Sequence, residues 1–316
     1  MSTDLNDKIF NKETGRWVKK SGATGKAILL KQQQEQEEQK QQYQGEQKEQ
    51  KEEKLNSQSP KEISIVSYNI HNGWYNIDES ENTFYKMIEW LKQINPDVIL
   101  FQEVTFNGIS RKAFEKTMKQ LGFIYIAYGF ADDLYGNGFF GQTTCSKIKF
   151  RSDPISIQLK RDPVENEARN ALYTTLSNGL TIVNTHLDVW DHSGTTRLKQ
   201  LKQLDKVLNE NNLFPALVAG DFNTCRRQDY NDKQWKEINK NYDVETKTLD
   251  YIAGMGVQDV TDVIGKRFPQ SVLSFFRRID FIFLFDPYQQ LSVKKAMIDT
   301  KAEFSDHYPV ITTVTI

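Results

Sequence analysis

FPALVAGDFN, residues 214–223, runs apolar from Ala216 to Ala219 and turns polar at Asp221 and Asn223. A short apolar run bounded by Pro and Gly reads as a strand buried on both faces. A buried strand that ends in an acid and an amide carries them to a sheet edge, where loops open to solvent. The construction recurs along the chain. ISIVSYNI (63–70) delivers Asn69, DVILFQEV (97–104) delivers Glu103, and LTIVNTHLD (180–188) delivers His186. RRIDFIFLF (277–285) starts its apolar run after Asp280, and Asp306 and His307 stand before the last strand, YPVITTVTI (308–316). A single acid at a strand end is usually a cap or a turn former. The joint presence of so many at strand ends is the informative feature.

Between these strands lie helices. TFYKMIEWLKQI (83–94) places Phe84, Ile88, Leu91 and Ile94 at helical spacing, and Pro96 stops it. ISRKAFEKTMKQLG (109–122) reads as a helix ending at Gly122, and TTRLKQLKQLDKVLNEN (195–211) as an amphipathic one. LYTTLSNGLTIVNTHLD reads as a hairpin turning at Asn178-Gly179. Tight turns mixed with helical crossovers predict layers of sheet and helix.

The chain has 316 residues, room for one large domain or two ordinary ones. Hydrophobic residues make up 38% and aromatics 12%, enough for a sizeable core, and the formal net charge is −1. That balance gives no sign of a protein that coats nucleic acid or an acidic membrane. Residues 1–30 form a short, mildly basic segment. Gly22, Gly25 and Lys26 do not make a phosphate loop, because Ala27 stands where Ser or Thr is needed. Residues 31–61 are almost all Gln, Glu and Lys, and read as a disordered or loosely helical linker closed by Pro60. Residues 62–316 read as the folded domain. Residues 1–61 are expected to contact protein or nucleic acid. Cys145 and Cys225 lie in no metal-binding or disulfide spacing. With no secretory signal and no membrane span, the expected setting is intracellular, nuclear or cytoplasmic, and not secreted.

The polar strand ends also resemble a family. SYNI (67–70), PDVILFQEV (96–104), ARNAL (168–172), NTHLD (184–188), AGDFN (219–223), RIDFIF (278–283) and SDHYPV (305–310) resemble, in order, the motifs of the endonuclease/exonuclease/phosphatase superfamily. That group includes deoxyribonuclease I-like and abasic-site nucleases, inositol-phosphate phosphatases and neutral sphingomyelinases. The resemblance implies a four-layer α/β sandwich, two packed β-sheets flanked by helices. It also implies an Mg²⁺-dependent phosphoester hydrolase, with Mn²⁺ able to substitute.

The chemistry suits these residue types. Mg²⁺ prefers oxygen ligands and keeps several waters, so one or two carboxylates suffice. By resemblance Glu103 is the main ligand, with Asn69 and Asp306 close to the ion. Asp221 is the candidate to orient and deprotonate the attacking water. Asn223 and His307 are expected to stabilise the charged transition state. Asp280 is expected to hold His307 protonated, and His186 to meet a phosphate oxygen or donate a proton. Arg169, Asn170 and His192 are candidate substrate contacts. Arg197 and Gln200, on one face of a helix, brace the loop after His186 rather than touch substrate. Phe275 and Phe276 are candidates for the pocket rim.

The substrate reads less directly. Arg169-Asn170, His192, Arg197 and Gln200 are similar to features of the tyrosyl-DNA phosphodiesterases, which remove tyrosine from a DNA 5′ end. Phe222 and SVLSFFRRID depart from that subgroup, which usually has Thr and a Thr-Trp-Asp segment there. The expected substrate is a nucleic-acid end or adduct such as a 5′-tyrosyl-DNA linkage. An inositol-phosphate or lipid phosphoester is the alternative. A catalytically silent binding or structural subunit is the alternative of another class.

Overall fold

The Gln/Glu/Lys run offers almost no apolar side chain to a core, and the chain divides there into two compact units, Met1–Gln58 and Ser59–Ile316. The computed structural model describes residues 7–11, 16–31, 34, 62–72, 77–106, 108–133, 138–161, 167–241, 244–273 and 276–316. The expectation of a disordered or loosely helical linker therefore falls almost wholly outside the described residues. The first unit has structure that its sequence did not advertise. β1 (Lys8–Asn11) pairs antiparallel with β2 (Arg16–Lys19), and residues 23–31 are helical (α1). Gly25 is buried against the backbone of Lys19, where a Cβ would stand 2.1 Å from the carbonyl oxygen.

In the second unit the apolar runs are explained by double coverage. Alternate side chains of a strand point to opposite faces. In β3 (Glu62–Asn69), Ile63 and Ile65 enter one apolar cluster, and Val66 and Tyr68 enter another. In β4 (Val98–Phe106), Val98 and Leu100 go one way, and Ile99 and Phe101 the other. These two run parallel in a sheet with β5 (Tyr125–Asp132), β6 (Phe139–Ser146), β13 (Ser292–Ile298) and β14 (Val310–Thr315). The order is β13-β14-β3-β4-β6-β5. The second sheet contains β7 (Ile155–Gln158), β8 (Asn170–Thr175), β9 (Thr181–His186), β10 (Ala216–Asp221), β11 (Gln258–Asp259) and β12 (Asp280–Phe285). Its order is β11-β12-β10-β9-β8-β7.

The sheets pack face to face over a shared cluster that includes Ile63, Ile65, Leu100, Ile182, Leu217 and Ile282. On the outer face of the first sheet, α2 (Ile77–Ile94) and α3 (Gly108–Gln120) contribute Met87, Leu91, Phe114 and Met118 to a second cluster. On the outer face of the second, α4 (Thr195–Glu210) contributes Leu201, Leu204 and Leu208 to a third. α5 (Asp232–Asn241) brings Ile238 to a small satellite core with Cys225 and Tyr230. α6 (Lys247–Gly254) adds Leu249 and Ile252 beside α4. The short α7 (Val260–Val263) is capped by Asp259, whose carboxylate accepts the Thr261 N–H at 2.9 Å. The four layers expected from the resemblance are present. The hairpin at Gly179 is present too, with that glycine at φ +94°. The strands β5, β6, β7 and β13 are additional to the sequence reading.

The alternation carries the polar strand ends with it. Continuing from Ile65, Leu100, Ile182, Ala219 and Ile282, the residues on the face between the sheets are Asn69, Gln102, Asn184, His186, Asp221 and Asp280. Hydrocarbon fills most of the space between the sheets, and amides and acids close one end of it. Gln102 Nε2 donates to Asn184 Oδ1 across the gap at 2.8 Å. Asn184 Nδ2 in turn donates to the carbonyls of Phe101, at 3.1 Å, and Thr143, at 3.2 Å.

Gly220, just before Asp221, sits at φ +146°, and a Cβ there would lie 1.8 Å from the Thr185 carbonyl oxygen in the neighbouring strand. Neither backbone can move without opening the β9–β10 ladder. Gly220→Ala is expected to destabilise the protein by about 3 kcal/mol, read by urea unfolding of the purified variant. A change under about 0.5 kcal/mol would show that the strands separate freely here.

Candidate active site

The carboxylate of Asp221 is where the polar strand ends converge. Its Oδ1 accepts the backbone N–H of Asn223 at 2.8 Å, a turn that requires Asn223 to adopt φ +51°. Its Oδ2 accepts from Asn69 Nδ2 at 3.2 Å and lies 3.6 Å from His186 Nε2 and 3.7 Å from His307 Nε2. Asn69 and His307 belong to the first sheet's side of the gap, Asp221 and His186 to the second's.

Glu103 reaches this point through a backbone irregularity. The β4–β6 register shifts between Phe101 and Val104, so one extra residue stands in β4. That residue takes the left-handed conformation, φ +55° at Glu103, which turns its side chain to the strand edge. There it accepts from Asn69 Nδ2 at 3.1 Å and lies 3.9 Å from His186 Nδ1.

Charge is distributed unevenly over the imidazoles. Burial opposes a proton on His307, but the Asp280 carboxylate, whose Oδ2 is 2.8 Å from Nδ1, outweighs it and raises the imidazole to about 10. Asp280 Oδ2 also accepts the Ser271 hydroxyl at 2.7 Å. His186 goes the other way. Burial, helped by the positive charges of Arg169 and His307, pushes its pKa well below the usual histidine value, so it is neutral. Asn223 Nδ2 donates to Leu187 O at 3.0 Å and faces His186 Nε2 at 2.9 Å. The tautomer this assigns puts the His186 proton on Nδ1, facing Glu103. Burial, with the charge of Asp280, lifts Asp221 to about 7.

Asp306 faces the outer side of the site. Burial is outweighed by the hydrogen bond from His71 and the charge of His307, which hold its pKa below the usual carboxylate value. His71 Nδ1 is 2.8 Å from Asp306 Oδ2, a hydrogen bond that raises the histidine's own pKa. His71 escaped the sequence reading although it stands two residues after Asn69 in the same strand end. Ser271, which organises Asp280, carried no signal of its own.

The substrate candidates are placed differently. Arg169 is buried, pairs with Glu167 Oε1 at 2.7 Å, and is close enough to bear on His186. Asn170 lies on the same between-sheet face as His186 and donates to Ser156 Oγ at 3.2 Å. His192 is exposed and lines a cleft that opens beside Asn223. Arg197 and Gln200 do brace the loop. Arg197 Nη1 donates to Asp188 O at 2.9 Å, and Gln200 Oε1 accepts the Asp188 N–H at 2.9 Å. Phe276 is exposed, and Phe275 lies outside the described residues. Cys225 is buried in the satellite core.

A second network was also invisible in the sequence. The guanidinium of Arg278, fully buried, lies 2.6 Å from Asp259 Oδ2 and 3.5 Å from Asp229 Oδ2. Arg226 joins the same acids at 3.1 Å and 2.5 Å. These pairs tie the segment after Asn223 to the segment before Asp280. Breaking one would leave a buried charge uncompensated.

A two-sheet sandwich with acids, amides and imidazoles gathered at one end of its inner core has the build of a phosphoester hydrolase. Residues 66–307 match the Endonuclease/Exonuclease/phosphatase family, and the chain belongs to it. No curated protein sequence matches the chain. Solved structures share the fold at low identity. An endonuclease/exonuclease/phosphatase from Beutenbergia cavernae is 17% identical with a TM-score of 0.61, over 81% of this chain and 72% of that one. The human Nocturnin catalytic domain with bound sulfate is 16% identical with a TM-score of 0.59, over 80% and 93%. D. rerio TDP2 complexed with a single-stranded DNA product is 19% identical with a TM-score of 0.56, over 81% and 100%.

One carboxylate, Asp280, raises both Asp221 and His307. If Asp221 acts as a base and His307 as a cation, activity rises as Asp221 loses its proton and falls as His307 loses its own. Asp280→Asn removes the charge that raises both groups. Both limbs of the kcat/KM–pH profile are therefore expected to move to lower pH, the alkaline limb from about 10 toward the ordinary histidine range. An alkaline limb that stays in place would separate it from His307.

Proposed function

We propose that this hydrolase cleaves a phosphodiester at a nucleic-acid end or adduct, such as a 5′-tyrosyl-DNA linkage, by one-step in-line attack of water. The observation that carries the reading is the position of Asp221 Oδ2, within 3.2–3.7 Å of Asn69, His186 and His307. A buried carboxylate raised to about 7 is matched to taking a proton from water near neutral pH. His307, kept protonated by Asp280, presents Nε2–H to negative charge developing on the phosphoryl oxygens. Neutral His186 turns its Nδ1–H toward Glu103, 3.9 Å away, and its Nε2 toward Asn223. Both amide hydrogens of Asn223 are engaged, so its donation to a bound phosphoryl oxygen would release one of them. As the structure stands, its work is to fix His186.

A divalent cation, Mg²⁺ or Mn²⁺, fits Glu103 and Asp306. Both are carboxylates with solvent access, the hard oxygen donors such an ion takes. Asn69 turns its amide nitrogen toward Glu103 and its oxygen to the His71 N–H, so it steers Glu103 as placed and would ligate only after a flip. Asp221, Asp280 and His307 also bring potential ligand atoms within 4.8 Å of one another. That cluster suits an ion less well, because a protonated imidazole has no lone pair to give. When bound, the cation would polarise a phosphoryl oxygen and stabilise the leaving group.

The substrate reading draws on Arg169, Asn170 and His192 around His186 and Asn223, and on the fold shared with the DNA-bound neighbour. No described helix is long and apolar enough to cross a membrane. Purified full-length protein in Mg²⁺ is expected to cleave a 5′-tyrosyl oligonucleotide within a panel also holding abasic DNA, poly(A), an inositol polyphosphate and sphingomyelin. Asp221→Asn should lower that rate by about 10²–10⁴-fold, and chelator should abolish it. Cleavage of another panel member would reassign the substrate. A folded protein that cleaves none would favour a silent binding subunit.

A further inference from the structure

Asn69, Glu103 and Asp306 come from three separate segments, and His71 and Asn72, just past β3, touch all three. The His71 backbone N–H donates to Asn69 Oδ1 at 3.0 Å. The Asn72 backbone N–H donates to the Glu103 carbonyl at 3.1 Å, and Asn72 Oδ1 accepts the Thr105 hydroxyl at 2.7 Å. The His71 ring reaches Asp306, Nδ1 to Oδ2, at 2.8 Å. Both residues are left-handed, φ +46° at His71 and +57° at Asn72. Residues other than glycine keep that conformation where their surroundings hold it. Here the bonds to Asn69, Glu103, Thr105 and Asp306 do so.

The Asp306 carboxylate is held from two sides. His71 Nδ1 meets Oδ2, and Ser305 Oγ donates to Oδ1 at 3.1 Å. A carboxylate has roughly four lone-pair positions, so two donors orient it and leave others for a cation. Nδ1 carries a proton in the imidazolium and in one neutral tautomer, so the contact does not depend on the charge of His71. The side chain is 62% exposed, at the mouth of the site, where packing does little to place it.

We propose that His71 is a positioning residue for the divalent cation. Its Nδ1–H fixes the Asp306 carboxylate as a ligand, while its backbone N–H keeps the Asn69 amide turned to Glu103. The assignment rests on the reading of Glu103 and Asp306 as the ligands of that cation. Ligating carboxylates are ordinarily hydrogen-bonded by an outer partner, and losing the partner costs about 10–100-fold in metal affinity.

Mn²⁺ binding to the full-length protein, without substrate, tests this apart from turnover, read by the loss of the free-ion EPR signal. His71→Gly removes the ring and keeps a backbone N–H that is at ease in the left-handed conformation. It is expected to raise the Mn²⁺ Kd about tenfold or more. His71→Asn keeps an N–H donor close to the place of Nδ1 and also tolerates the backbone. It should bring Kd back to within about threefold of the parent, a rescue that a ring needed only for bulk would not show. Glu103→Gln and Asp306→Asn identify the ligands, and each should weaken Mn²⁺ at least as much as His71→Gly. If those two weaken binding while His71→Gly stays within about twofold of the parent, or binds more tightly, the positioning role is overturned and the cation site stands. His71→Asn binding as poorly as His71→Gly would overturn it too, since donation to Asp306 would not be the cause. A parent whose Mn²⁺ binding is absent, or indifferent to Glu103 and Asp306, would overturn the cation site and the positioning role together.

Discussion

The contact between His307 Nδ1 and Asp280 Oδ2, 2.8 Å across the gap between the sheets, is the one on which the rest of the site depends. Asp280 opens β12 in one sheet, and His307 stands just before β14 in the other. Backbone bonds stitch the same place. Ser271 O accepts the Tyr308 N–H at 2.7 Å, and Asp306 O accepts the Leu273 N–H at 2.6 Å. Both side chains are buried, where an isolated charge is costly, so each requires the other. The pair also sets the electrostatics of its neighbours. Through Asp280 it raises Asp221, and through His307 it helps keep His186 neutral. Burial does the larger part for both neighbours, and the His307 charge offsets some of what Asp280 does to Asp221, so a protonated imidazole, a neutral imidazole and a carboxylate poised near neutrality coexist within a few ångströms.

Much of this was legible in the sequence for a simple reason. A strand covered on both faces must be apolar throughout, so the first polar residue after the run marks where the cover ends. Asn69, His186 and Asp221 were found at the ends of such runs and Asp280 at the start of one, and period-two alternation places all of them on the face between the sheets. The family motifs then supplied the sandwich.

What escaped has physical causes too. β5 and β6 include Gly129 and Gly141, which allow close approach of a side chain and of a backbone rather than build an apolar run, and β13 buries only Ala296 and Ile298 of its seven residues. Neither reads as a buried strand. Arg278 looks in sequence like half of a basic pair, yet it is fully buried because Asp229 and Asp259 come to it from distant segments. His71 is exposed enough to pass for a loop residue, and only the approach of Asp306 from the far end of the chain gives it a partner. Nonlocal pairing of this kind leaves no periodicity to read. The N-terminal hairpin was hidden by composition, since Lys-rich flanks obscure Ile9 and Val18 facing each other.

Glu103 shows a tension between what the backbone prefers and what the site needs. Its left-handed conformation in the β4 bulge is one that glycine adopts freely and other residues adopt at a penalty of roughly 1–3 kcal/mol. The carboxylate sits at the mouth of the site because the chain tolerates that strain. If Glu103 holds the cation as proposed, heat resistance and activity pull this position in opposite directions. A thermostability screen blind to turnover would welcome glycine at 103 and return a sturdier sandwich with an empty corner.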